Sequence, residues 1–237
     1  MTNHVLCAIE PNDEAIDVTK IAAHIAQQRG AQLTLMHVVP PMWQPYADLN
    51  FTPVVEAQVA LEEDLLASTK DSMNKLAESV DVKPANVIVQ KGDPVHTIAA
   101  QAATLDDVLI VMGVHNRKGL KRLLGSTAHG VLNNTECPIL LVHADEHAAA
   151  AYNNIVVAVD TSASLPTVLS AASPFVQSAE KHQVISVVQS LAATMGGLPT
   201  SAFATSWPMT DLQEDLVKAV KKTVGEAKHS LEEEMKI

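Results

Sequence analysis

The stretch that most restricts what this chain can become covers residues 107–143, DVLIVMGVHNRKGLKRLLGSTAHGVLNNTECPILLVH. An apolar run at 108–112 ends at Gly113, and a polar, basic loop follows. A second small-residue turn, Gly125-Ser126-Thr127, then opens a helical segment leading to another apolar run at 139–143. Short runs that are apolar throughout belong to strands covered on both faces. Strand, glycine turn, helix start and strand, in that order, place backbone amides where they can face an anion. The stretch reads as a phosphate cradle.

The residues before it supply the rest of a domain. Residues 5–9 form a β-branched strand ending in Glu10-Pro11-Asn12-Asp13, a turn rich in helix-capping residues. The next segment sets Ile16, Ile21, Ala22, Ile25 and Ala26 on one helical face and stops at Gly30. Residues 33–39 read as a second strand, broken by Pro40-Pro41. A loop carrying Trp43, Tyr46 and Phe51 leads to a long helical pattern at 54–79, in which Glu62, Glu63 and Asp64 read as a solvated face. A third strand at 86–90, closed by Gly92-Asp93-Pro94, and a short helix at 95–103 deliver the chain to the cradle. Strict alternation of strands and helices implies an α/β fold, an open, doubly wound, parallel five-stranded sheet built through right-handed crossovers. In such sheets ligands bind beyond the C-terminal strand ends, where strand order reverses. If the first strand lies beside the fourth, the turns after Ile9 and Met112 face one crevice.

The beginning of the chain then returns. Residues 155–160, IVVAVD, match residues 5–10, VLCAIE, with Asp160 opposite Glu10. A helical segment, a strand at 184–188, a polar loop through Trp207-Pro208 and a charged helix over about 211–235 follow in the same order. The expected organisation is a complete domain at 1–144, a linker at 145–152 and a truncated second copy, β-α-β-α only, at 153–237. With so few strands its inner edge is unpaired, so it is expected to complete itself against the first domain or a second chain.

Composition narrows the function. A formal net charge of −11 disfavours nucleic acid and anionic membranes as partners, and small molecules or protein subunits fit better. No apolar run reaches the roughly 18 residues of a membrane span, and the N-terminus lacks a signal-peptide pattern, so a cytoplasmic location is expected. Cys7 and Cys137 lack metal-site spacing and read as buried thiols. There is no GxxxxGK[ST] loop, no SGGxDS loop and no defensible Ser/His/Asp set or carboxylate pair. No catalytic or metal-ligating residue is assigned, and an enzyme is the least supported reading.

The same residues resemble the universal stress protein family in its tandem-repeat form. That family's signature is glycine, two residues, glycine, nine residues, then Gly-Ser or Gly-Thr, between an apolar strand and a "CPILLV"-like last strand. Here Gly113 and Gly125-Ser126 occupy the outer positions, Asn116 stands at the second glycine, and eight residues separate it from Gly125. Asn adopts left-handed conformations more readily than most residues, so the loop can keep its shape. VLCAIE, LTLMHVV and KGDP extend the likeness over the whole of 1–144.

The resemblance implies a Rossmann-like fold of the adenine nucleotide alpha hydrolase type and a stress-response regulator that binds ATP, carried with Mg2+. It places Met112, Gly113, His115, Asn116, Gly125, Ser126 and Thr127 around the phosphates and ribose. Val38 would offer backbone hydrogen bonds to adenine. Glu10, where the family usually has Asp, would make the adenine or metal contact, with Asp13 nearby. At most slow ATP hydrolysis or self-phosphorylation, with Ser126 or Thr127 as acceptor, is implied. The resemblance also implies a homodimer or intrachain repeat pairing through the strand of Ile139, Leu140, Leu141 and Val142. The alternative is a nucleotide-free dimerisation or interaction module, its crevice altered by Asn116 and Glu10. The basic cluster Arg117, Lys118, Lys121 and Arg122 reads as a solvated helix face.

Overall fold

The structure is a computed structural model, and it describes residues 3–41, 52–80, 83–114, 125–143, 152–160, 162–187 and 209–234. The expectations for Trp43, Tyr46, Phe51, for the 115–124 loop with its basic cluster, for Trp207-Pro208 and for most of the linker lie outside these residues. The chain divides into two units, Met1–Ala149 and Ala150–Ile237.

In the first unit, β1 (His4–Ala8) is paired in parallel on both edges, with β2 (Gln32–Val39) and with β4 (Val108–Val114). The outer strands β3 (Asn86–Lys91) and β5 (Ile139–His143) complete the order β3-β2-β1-β4-β5. The chain winds outward from β1 to β3, crosses back to β4 and continues to β5, so strand order reverses between β1 and β4. This is the doubly wound five-stranded parallel sheet that the alternation predicts.

Helices α1 (Ala15–Arg29) and α2 (Thr52–Glu78) cover one face, and α3 (Pro94–Ala103) and α4 (Ser126–Asn134) the other. Because side chains alternate along a strand, Leu6, Ala8, Met36, Val38, Ile110 and Met112 form the core under α3 and α4. Val5, Leu6, Cys7, Leu35 and Ile110 are wholly buried. Each such side chain contributes on the order of 1.5–3 kcal/mol through its removal from water.

Three sequence expectations shift. On α1 the buried residues are Ala15, Val18, Thr19, Ala22, Ala23, Ile25 and Ala26, while Ile16 is 38% exposed. The small residues let the helix lie close to the sheet, which turns its face by about one position. On α2, Glu62 is not solvated but pairs with Lys91 at the end of β3. Strand β4 runs past Met112 through Gly113 to Val114, because β5 still pairs there, Gly113 with Val142 and Val114 with His143.

Burial pushes the Cys7 thiol up to about 12, against a smaller opposing effect of its hydrogen bond with Thr19. Cys7 is therefore a core group.

The second unit contains β6 (Asn154–Ala158), α5 (Leu165–Ser178), β7 (Lys181–Ile185) and the last helix, α6 (Met209–Glu234). Its strands pair in parallel, and its core is Val157, Val159, Val176 and Leu231. Strand β7 starts three residues before the 184–188 expected. Pairing with β6 sets the start, and the polar Lys181, His182 and Gln183 are carried on the strand although they break the apolar pattern. In β1-α1-β2, the Ile9 N–H donates to Met36 C=O and the Gln32 N–H to Asn3 C=O. In β6-α5-β7, the Val159 N–H donates to Ile185 C=O and the Lys181 N–H to Asn153 C=O.

A close approach of α4 to α3 rests on Gly130. A Cβ at this position would lie 2.5 Å from Cγ2 of Val95. Gly130→Ala should cost about 1–3 kcal/mol through overpacking, offset in part by Ala's helix preference. In a Val95→Ala background the same change should become stabilising, a sign reversal readable by urea unfolding.

Candidate functional site

Strand β1 is shorter than both of its neighbours at the C-terminal end. Its last register pairs are Ala8 with Met36 on one side and Ala8 with Met112 on the other. Strand β2 continues to Val39, and β4 to Val114. A gap thus opens beyond Ile9, bounded by β2 and β4, at the place where strand order reverses.

The backbone directions into that gap follow from the hydrogen bonds at the strand ends. Met36 C=O accepts from the Ile9 N–H, whereas Val39 C=O accepts from the Gly92 N–H on the β3 side. Alternate residues of a strand direct their polar backbone groups to the same neighbour. Val38 therefore turns its N–H and C=O toward β1, past the last β1–β2 pair. On the other wall the Ile110 N–H donates to Pro138 C=O beside β5, so even-numbered residues of β4 face β5 and Gly113 faces β1. Val38 and Gly113, on separate strands, aim backbone groups at one crevice.

Side chains tell a different story at the same positions. Val38 and Met112 are buried in the core under α3 and α4, so only their backbones are available to a ligand. Gly113 is not in the left-handed region, and a Cβ there would lie 3.2 Å from Cγ2 of Val18 on α1. The missing side chain lets α1 seat against β4.

Gly125 differs. It caps α4 with φ −58° and ψ 151°, and a Cβ built on it meets no atom of the described residues within 4 Å. Neither its backbone angle nor packing requires glycine there. Ser126 is exposed and Thr127 half-buried in the first turn of α4, where backbone N–H groups are unpaired within the helix and the dipole favours negative charge. Helices of such folds run back against the strands, which brings this turn to the C-terminal end of the sheet. His115 and Asn116 lie outside the described residues.

Glu10 and Asp13 are exposed in the turn that leaves β1. That turn is fixed by Asn12, whose Oδ1 accepts from the N–H groups of Glu14 and Ala15 at 3.0 and 3.1 Å. Among the described residues no group of three or more His, Cys, Asp or Glu side chains is placed to hold a metal ion. No described helix is long and apolar enough to cross a membrane. Sequence reasoning missed His37, whose Nδ1 lies 2.7 Å from the Ile9 carbonyl oxygen and, as donor, fixes the end of β1 beside the crevice. A histidine inside an apolar strand gives no sign of this, because the contact depends on where the neighbouring strand stops.

A doubly wound five-stranded parallel sheet with a strand-order reversal beside the end of β1, edged by backbone polar groups and a helix start, defines a Rossmann-like α/β domain. The model of the Universal stress protein family matches residues 1–143, and the chain belongs to that family. It is 34% identical over 138 residues to Universal stress protein A homolog 2 of Coxiella burnetii, covering 58% of this chain and 91% of the relative. To Universal stress protein YxiE of Bacillus subtilis it is 30% identical over 149 residues, covering 60% and 99% respectively. It is also similar to the solved universal stress protein of Archaeoglobus fulgidus in complex with dAMP, at 20% identity and TM-score 0.37, covering 60% of this chain and 97% of that one.

Gly113→Val should lower stability by about 1–3 kcal/mol without any nucleotide present, and Val18→Ala should recover part of that loss. Urea unfolding of the two variants checks this. Unchanged stability would mean that Gly113 serves the crevice and not the helix.

Proposed function

We propose that the first unit is a regulatory module that binds an adenine nucleotide, ATP with its Mg2+, one molecule per chain, in a cytoplasmic stress response. The observation that carries this reading is the pair of walls on either side of the end of β1, where Val38 and Gly113 both turn backbone groups inward. Family membership supports it. Val38 would meet adenine through its backbone, as β2 extends past its last pair with β1. Gly113, His115, Asn116, Gly125, Ser126 and Thr127, with the Met112 backbone, would surround ribose and phosphates. Glu10 and Asp13 are the acidic groups at the turn, and Mg2+ would enter on the phosphates. The open space that the described residues leave at Gly125 supports close approach of an anion to the backbone. Ser126 and Thr127 are the hydroxyls available for a slow self-phosphorylation.

The same reading takes residues 153–237 as a second, partial copy of this fold, joined through a linker at 145–152. The repeated strand-to-strand bonds support that. Strand β5 lies at the margin of its sheet with Ile139, Leu140 and Leu141 only half buried, which supports pairing through residues 139–142.

Two measurements test the nucleotide. Denatured protein should release adenine nucleotide on chromatography, and the emptied protein should give heat with ATP and Mg2+ in calorimetry. Gly125→Val should cost no more than the about 0.5–2 kcal/mol of a poorer N-cap, yet weaken ATP by about tenfold or more, the equivalent of losing a charged hydrogen bond of about 1.5–3 kcal/mol. Lys118→Ala should change affinity little. An absence of both released nucleotide and heat at millimolar ATP would leave the nucleotide-free interaction module as the better account.

A further inference from the structure

The second unit carries an open strand edge and a bare apolar face on the same residues. The bonds from Lys181 to Asn153 and from Val159 to Ile185 show that odd-numbered residues of β6 face β7. Asn154, Val156 and Ala158 therefore point their N–H and C=O groups away from β7, where the described residues provide no strand. In β1 the corresponding groups of His4, Leu6 and Ala8 face β4, with which they are paired.

The side chains repeat the contrast. Helices α5 and α6 pack against Val157 and Val159 on one face of β6-β7. On the opposite face Val156 is 59% exposed and Ile185 43%. Matching the bonds of the two units sets Val156 opposite Leu6 and Ile185 opposite Met36, both of which are wholly buried in the first unit. The second unit thus displays as surface what the first uses as core.

We propose that a second copy of this chain docks on this edge, β6 against β6, antiparallel about a twofold axis at Val156. Each Val156 then opposes the Val156 of the other copy, and Asn154 opposes Ala158. Every edge-facing N–H and C=O of these three residues gains a partner in the narrow hydrogen-bonded register. The two Val156 side chains come side by side on the bare face, and the two small sheets merge into one of order β7-β6-β6-β7.

Charge selects the edge, and the self-complementarity of that strand selects a second copy. The chain carries a net −11, which opposes self-association wherever charged surface must meet. Strand β6, NIVVA, carries no charge at all, so copies can meet there without that repulsion. The outer strand β7 carries Lys181 and His182, and an edge lysine is a usual block to strand addition. A twofold axis makes one uncharged, self-complementary strand sufficient for both partners.

The test is a disulfide trap in the full chain, in a Cys137→Ser background that leaves only the buried Cys7. Opposed residues in this register have Cα atoms about 5.5 Å apart, inside the about 4.4–6.8 Å that a disulfide accepts. Under oxidised glutathione, Val156→Cys should give a covalent dimer. Gln183→Cys, also exposed on the same face but on β7, should not. Val156→Asp should at least halve the sedimenting mass at high concentration, and its melting curve should lose the concentration dependence that association gives the unmodified chain. The trap reports on β6 whether or not copies also pair through β5. A chain that sediments as a monomer at all concentrations, or equal cross-linking of Val156→Cys and Gln183→Cys, would overturn the proposal.

Discussion

The first unit depends on a single short strand held on both edges. Strand β1 pairs with β2 and β4, is buried on both faces, and stops before either neighbour does. Central placement demands an apolar sequence, and VLCA supplies it. Early termination creates the crevice, because the neighbouring backbones run on with groups that β1 no longer reaches. The His37 ring on the Ile9 carbonyl and Asn12 over the first turn of α1 then settle how the chain leaves the strand. The candidate site thus arises from where a strand ends and needs no special side chain.

Glycine serves at least two separate purposes around that crevice. At Gly113 the missing side chain makes room for Val18, and at Gly130 it makes room for Val95, so both are packing glycines. Gly125 has ordinary backbone angles and, among the described residues, open space around it. A motif that groups Gly113 and Gly125 together conceals this difference. The proposed phosphate contact therefore leans most on Gly125 and the turn that follows it.

Much of the fold was legible in the sequence because parallel strands and their helices alternate with distinct periods. The strand order was not: the place of β1 beside β4 entered only as a condition, and the pairing registers supply it. Less legible were contacts that depend on register between distant segments. Ile16 looks like a core residue by spacing, yet the small residues of α1 rotate it outward. Glu62 looks solvated until Lys91 arrives from β3. Strand β7 begins on polar residues because its partner, and not its own hydrophobicity, sets where pairing starts. At the site, the sequence offered Val38 and Gly113 as candidates, but only the parity of their hydrogen bonds tells which way their backbones turn. The buried face of Met112 likewise restricts that residue to its main chain.

The pairing of β1 with β4 also has a kinetic side. Asn3 and Asp107, which meet where those strands begin, are 104 residues apart in the chain. Contacts of such separation carry a large loop-closure cost and form late relative to local ones. The β1-α1-β2 and β6-α5-β7 pairings join neighbours in sequence and can form on their own timescale. The crevice, which needs β4 beside β1, has no precursor among those early structures. During synthesis β1-α1-β2 thus waits with an open edge until β4 emerges, whereas β6-α5-β7 emerges after it and, among the described residues, has no later strand of its own unit to close the same edge.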